Sequence, residues 1–262
     1  MFKLFRNSRL NLLNDGKTNL PERQGRVGKY VKYAIGEIVL VVIGILIALQ
    51  LNIWNEEKKS HRESNEFTRR LLDEIRINLK QTNNEIQQET SQIRSTKKIL
   101  DMFHQKKEAL HPRVLDSLMG DVITANNLEF NSGTFTEGLN TGKIGAIRSD
   151  SLRVALYNFG AILAEIRHHE ALDAKDINES FSIFLYKHFN YRKMDNTFSK
   201  YKGQLGDTKF TSFDSFGIFD HLEFENMLDN RFYSNNWQLE LYETLKNELL
   251  RIEHLILQEL KA

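Results

Sequence analysis

Two short steps in this 262-residue chain have the residue types and the spacing of metal-ligand pairs: Glu108-Ala-Leu-His111 and Glu165-Ile-Arg-His168. On a helix, residues three apart share a face, which is how di-iron bundles present a Glu and a His to one metal. Such a centre also needs carboxylates from facing helices, and the remaining acids form no partner pattern. His111 precedes Pro112, which biases it out of the helix and spoils its step. The reading is therefore of no metal and no cofactor. The chain has no cysteine, so it holds neither a disulfide framework nor a thiol nucleophile. It shows no nucleophile elbow, phosphate loop, zinc spacing or paired catalytic carboxylates in a recognisable context. It does not read as an enzyme. His168-His169-Glu170 reads as a solvated face at the end of a helix, and Glu56-Glu-Lys-Lys, Lys97-Lys98 and Lys106-Lys107-Glu108 as solvated flanks.

Glu37 is the remaining candidate, because it borders an apolar run. From Ile38 to Asn55 there are eighteen residues without a charge, a helix of about 27 Å against the ~30 Å hydrocarbon core of a bilayer. Only a helix or a closed barrel satisfies its backbone within lipid, so residues 34–54 read as a transmembrane helix. A carboxylate at the midplane costs about 2.5–3.5 kcal/mol on insertion scales. Glu37 lies instead at one end, with Lys29, Lys32 and headgroups in reach. It shares a face with Val41, Gly44 and Ala48, and Gly44-xxx-Ala48 is a small-xxx-small pair that lets helices approach closely. Glu37 therefore reads as an interfacial anchor or helix-contact residue rather than an ion or proton site, and Glu37, Val41, Gly44 and Ala48 as the helix-contact face.

Residues 1–33 carry eight Lys/Arg and two acids, whereas the far flank opens with Glu56 and Glu57. The positive-inside rule places the N-terminus in the cytoplasm and the rest outside; Tyr30, Tyr33 and Trp54 fall where aromatic rings anchor at the interfaces. The apolar run begins too late and lacks a small-x-small cleavage site, so it reads as an uncleaved signal anchor. Met1 to Leu13 reads either as an interfacial amphipathic helix or as a basic tail, and Pro21 to Gly28 as a hinge. The chain is +1 overall, and residues 38–262 hold 28 bases and 32 acids, a net −4. A mildly acidic outer part with no basic stripe argues against nucleic acid as a partner.

Three domains follow: a basic head (1–33), the membrane helix (34–54) and an all-α outer domain (55–262). No glycine lies between Gly44 and Gly120, and the one proline there is Pro112. The membrane helix is therefore expected to continue to about Lys107, its polar part reaching roughly 75 Å if straight. Leu72, Leu79, Ile86, Ile93 and Leu100 recur every seven residues, the signature of a coiled-coil seam. The second seam position is poorer: Thr68, Ile75, Thr82, Glu89, Thr96 and Phe103. The stripe suits either packing within one bundle or self-association, and composition does not choose between them. Pro112 starts a helix to about Thr124. Phe130 to Gly142 reads as a short helix capped by Asn131 or Ser132 and stopped by a left-handed Gly142. Ser149-Asp150 opens a longer helix with Leu152, Leu156, Phe159, Leu163 and Ile166 on one face, followed by the stripe Ile177, Phe181, Phe184 and Phe189. Residues 192–219 read as a long loop or a poorly ordered insertion. Ser234 to Trp237 opens a last helix whose Tyr242, Leu245, Leu249, Ile252 and Ile256 are the natural partners of the first stripe.

The segment Lys32-Tyr-Ala-Ile-Gly-Glu-Ile-Val-Leu-Val-Val-Ile-Gly-Ile-Leu-Ile-Ala-Leu-Gln-Leu-Asn-Ile-Trp-Asn-Glu-Glu57, preceded by Met1-Phe-Lys-Leu-Phe-Arg6, resembles a domain-of-unknown-function family of small single-pass membrane proteins. That family is found mostly in Bacteroidetes-type Gram-negative bacteria. Thr141 to Leu152 is similar to its middle segment, and the likeness spans essentially the whole chain. The resemblance implies an inner-membrane anchor with a helical periplasmic domain and brings no activity.

Together these readings describe an elongated helical bundle, with coiled-coil character, on a single membrane anchor. It would act as an interaction or scaffold protein of the cell envelope. Its expected partners are the lipid bilayer, a second copy of itself and an envelope protein of unknown identity. The alternative is a periplasmic ligand-binding input module that signals through a membrane partner.

Overall fold

The computed structural model describes residues 23–198 and 203–261, and every regular element among them is helical. The chain divides into two units, one ending at Arg62 and one beginning at Glu63. A single 80-residue helix, α1 (Arg23–Met102), contributes to both. The expected basic head falls on residues 1–22, outside the described residues, together with Pro21 of the expected hinge. Arg23 to Gly28 are already helical, because nothing after Pro21 removes a backbone donor.

In the first unit α1 is long and apolar enough to cross a membrane. Its side chains from Tyr30 to Trp54 are exposed on every face of the helix. A stripe of solvent-facing polar residues, which a surface helix of a globular domain would carry, is missing between Ile38 and Trp54.

The second unit holds two apolar cores. In the first, Phe67, Leu71 and Ile75 of α1 meet Phe135 of α3 (Gly133–Thr141), the inner face of α4 (Asp150–Asp176) and the Tyr242-to-Ile256 stripe of α7 (Leu222–Glu259). The second joins Ile99 and Met102 of α1 to Leu115, Met119 and Val122 of α2 (Pro112–Val122). It is completed by Phe181, Phe184, Phe224 and Leu228. α4 packs against α7. After Asp176 a single π-helical turn, Ile177–Phe181, passes the chain into α5 (Ser182–His188), and α6 (Tyr191–Phe198) follows.

Local signals account for most of these boundaries. Ser149 Oγ accepts from Leu152 N at 3.2 Å at the start of α4, and Gly142 adopts φ 73° where α3 stops. Gly138 is required for another reason: a Cβ there would lie 2.5 Å from the Phe67 ring. Two helix starts borrow carboxylates from elsewhere in the chain. Glu74 accepts from Thr134 N (2.5 Å) and Phe135 N (2.9 Å), and Glu259 accepts from Arg148 N (2.9 Å) and Ser149 N (3.1 Å). Each places negative charge at the positive end of a helix dipole.

Three expectations need correction. α1 ends at Met102, five residues short of Lys107, and a 3₁₀ turn Lys107–Ala109 leads to α2. Residues 192–219 are not one loop: α6 covers Tyr191–Phe198 and a 3₁₀ turn covers Gly217–Asp220, while 199–202 lie outside the described residues. α7 begins at Leu222 rather than Ser234, with Glu223 and Glu225 in its first turn. Ser234, Asn235 and Asn236 resemble a cap in sequence, but their side chains bond Asp173, Gln92 and the Phe232 carbonyl inside a continuing helix.

Candidate functional site

Between the two cores α1 turns a polar line inward. Asn78, Thr82, Glu89, Gln92, Ser95 and Thr96 are all buried, at the 3–4 spacing that keeps residues on one helix face. This line runs through the expected second seam position, and the leucine line flanks it. Leu72 is buried, while Leu79, Ile86, Ile93 and Leu100 are half-buried. Leu79 and Ile86 border the first core and Leu100 the second. Of the α7 stripe, Tyr242, Leu245, Leu249, Ile252 and Ile256 all sit fully inside the first core.

The polar line is met by α4, α7 and the segment after α2. Arg231, 1% exposed, donates Nη1 to both oxygens of Asp173, at 2.6 and 2.7 Å. Its Nη2 reaches Gln92 Oε1 at 3.2 Å, and Asn235 Nδ2 donates to the same oxygen at 3.1 Å. Gln92 uses its other end as well: Nε2 donates to the Thr124 carbonyl at 2.9 Å and to Asn126 Oδ1 at 3.1 Å. Asn126 Nδ2 then donates to Glu89 Oε1 at 2.8 Å, and Ser234 Oγ to Asp173 Oδ1 at 2.7 Å. One chain of hydrogen bonds thus links Glu89 to Asp173 through Asn126, Gln92 and Arg231. Beside it, His169 Nδ1 lies 2.6 Å from Gln238 Oε1, and Glu170 accepts from Tyr242 Oη at 2.7 Å and from Leu128 N at 2.9 Å.

The network is not closed. Glu89 Oε2, Thr96 Oγ1, Arg231 Nε and Gln238 Nε2 are sealed from solvent without a hydrogen-bond partner among the described residues. An unpartnered buried polar atom costs about 1–3 kcal/mol, so the layer is held at the expense of stability. Its electrostatics follow. Burial pushes the Glu89 carboxyl up to about 7; Asn126 and Arg231 oppose the shift, and Asp173 and Glu85 add to it. Burial also raises Glu85. Tyr242 is raised by burial and by its bond to the Glu170 carboxylate. Glu89 therefore changes protonation near neutral pH inside the bundle, the behaviour of a carboxyl tuned by desolvation.

The residues singled out by spacing lie apart from this layer. Glu37, Val41, Gly44 and Ala48 are exposed on α1, and a Cβ on Gly44 would meet nothing within 4 Å. Glu108, Glu165 and His168 are exposed, and exposed His111 accepts from Arg113 N as the cap of α2. No three His, Cys, Asp or Glu gather as a metal cage among the described residues. The segment His168-His169-Glu170 needs correction: His168 is exposed, but His169 is buried and Glu170 is bonded inside the bundle, because α4 turns these positions toward α7. Sequence reasoning passed over Glu89, Gln92, Asp173, Arg231, Asn235 and Gln238. The signal was the polar run at the second seam position, which reads as a weak seam when its partners on α4 and α7 are unknown.

A model described as a family of unknown function (DUF6090) matches residues 37–236, most of the chain, and the chain belongs to that family. No curated protein and no solved structure matches it.

Proposed function

We propose that this member of a family of unknown function is a membrane-anchored helical interaction protein of the bacterial cell envelope. α1 crosses the inner membrane with its N-terminus in the cytoplasm, and the bundle of residues 63–261 lies in the periplasm. The observation that carries the reading is the fully exposed apolar surface from Ile38 to Trp54, on the same chain as a bundle that buries its own cores. An apolar surface of that length, broken by Gln50 and Asn52 near its end, needs a cover, and lipid fits its length. The eight bases of residues 1–33 support the orientation. The exposed Gly44–Ala48 face and the half-buried line Leu79, Ile86, Ile93 and Leu100 supply contact surfaces for a second copy or an envelope partner.

Crosslinking in the native membrane, with the particle mass in a mild detergent, tests this. A dimer or a stoichiometric envelope partner is expected. Recovery of the chain alone, as monomers, would contradict it. A second reading, a ligand-binding input module, is favoured by one feature: an open groove between α4 and α7 beside the polar layer.

A further inference from the structure

The groove encloses about 560 Å³, within the ordinary size range of small-molecule sites. α4 lends it His169, Asp173 and Asp176, and α7 lends Tyr233, Trp237 and Glu240. On each helix these residues recur at 3–4 spacing, so two helix faces line it continuously.

Its charge is unbalanced. Asp173 is taken by Arg231 and Ser234. Among the described residues Asp176 accepts only from the Asn230 amide, at 3.0 Å, and the Glu240 side chain makes no hydrogen bond. Neither carboxylate has a basic partner among the described residues. Trp237 and Tyr233 are 57% and 67% exposed there, large aromatic faces of the kind that attract cations.

His169 is an independent observation on the same wall. It is 6% exposed. Its Nδ1 lies 2.6 Å from Gln238 Oε1, and its ring packs against Trp237 with centroids 4.8 Å apart, so it is fixed to α7 at the groove. Nε2 has no hydrogen-bond partner among the described residues, nor is it one of the unpartnered polar atoms sealed from solvent. The side chain lines the groove, so Nε2 stands beside it as a polar atom without a partner among the described residues.

We infer that the groove binds a small aliphatic amine in its ammonium form. Asp176 and Glu240 accept its N–H donors and balance the charge, and the exposed Trp237 ring covers the cation. An anion would meet two uncompensated carboxylates, and a neutral polyol would leave them uncompensated. The inference needs only the folded α4–α7 pair, so it stands or falls separately from the membrane anchor.

The test uses the full chain in detergent with Trp54→Phe, which leaves Trp237 as the sole tryptophan. Putrescine is titrated against Trp237 fluorescence, with 1,4-butanediol as a neutral control and tetramethylammonium as a cation without N–H. A saturable response to putrescine is expected, at least about tenfold weaker for tetramethylammonium and absent for butanediol. Asp176→Asn with Glu240→Gln changes two side chains away from the cores and should weaken putrescine at least about tenfold at an unchanged melting temperature. No saturable response, an equal response to either control, or undiminished binding by the double variant would overturn the proposal.

Discussion

Two stretches of α1 invert the usual rule in opposite ways. From Ile38 to Trp54 the helix is largely apolar and exposed; from Asn78 to Thr96 one of its faces is polar and buried. The backbone is the same helix in both, so the difference lies in what surrounds each stretch. A surface that is apolar on all sides is stable only where its surroundings are apolar too. A line of Asn, Thr, Glu and Gln is stable inside only where other side chains return its hydrogen bonds, as Asn126, Arg231 and Asn235 do here. Together the two stretches show that side-chain polarity reports the environment of a helix, not its burial.

The largest effect that would break this comparison is at the centre of the polar layer. Arg231→Ala leaves Asp173 without its cation and Gln92 Oε1 with one donor fewer; about 3–5 kcal/mol of stability should be lost in denaturant unfolding. Arg231→Met together with Asp173→Leu should recover most of it, because an apolar pair avoids the desolvation cost.

Glu89 sharpens the comparison through pH. Its folded pKa is raised from 4.5 to about 7, so the protonated form is favoured in the bundle. The associated stability is complete below about pH 4.5 and is lost as pH rises through about 7, a change of about 3 kcal/mol. Asp116, also raised by burial, acts in the same direction with Lys193 opposing. Glu89→Gln should flatten the profile between pH 5 and pH 8 relative to the native chain, leaving the shares of Asp116 and of Glu85, which burial also raises. An unchanged profile would show that Glu89 is hydrated in solution.

In the exposed apolar stretch, Leu46→Arg should cost about 2.5–3.5 kcal/mol of membrane insertion and move chain into the unintegrated fraction of a translocation assay. The smallest effect is expected at the bundle surface. Arg76→Ala removes an exposed ion pair to Glu253 at 2.7 Å and should cost less than about 1 kcal/mol.

What could be read in advance follows from the range of each signal. The all-helical class, the Gly142 stop, the Ser149 cap and the α7 stripe depend on neighbours within a turn or two, and one sequence displays those. The polar layer depends on pairs such as Gln92 with Asn235, 143 residues apart. Without the fold, Glu89 and Thr96 look like a poor seam and His169 like a solvated end. The Ser234-Asn-Asn run misled for the same reason: residues that cap helices also bond across a bundle, and only the opposing Asp173 and Gln92 decide which.

The central claim is that one chain crosses the membrane between a cytoplasmic head and a periplasmic bundle. Because the chain has no cysteine, single cysteines report position cleanly. Ser8→Cys and Lys106→Cys can be labelled in intact cells with a maleimide that passes the outer but not the inner membrane. The account predicts that the cysteine at position 106 labels at once and that the one at position 8 labels only after the inner membrane is opened. Labelling of both positions in intact cells, or of neither, would contradict it.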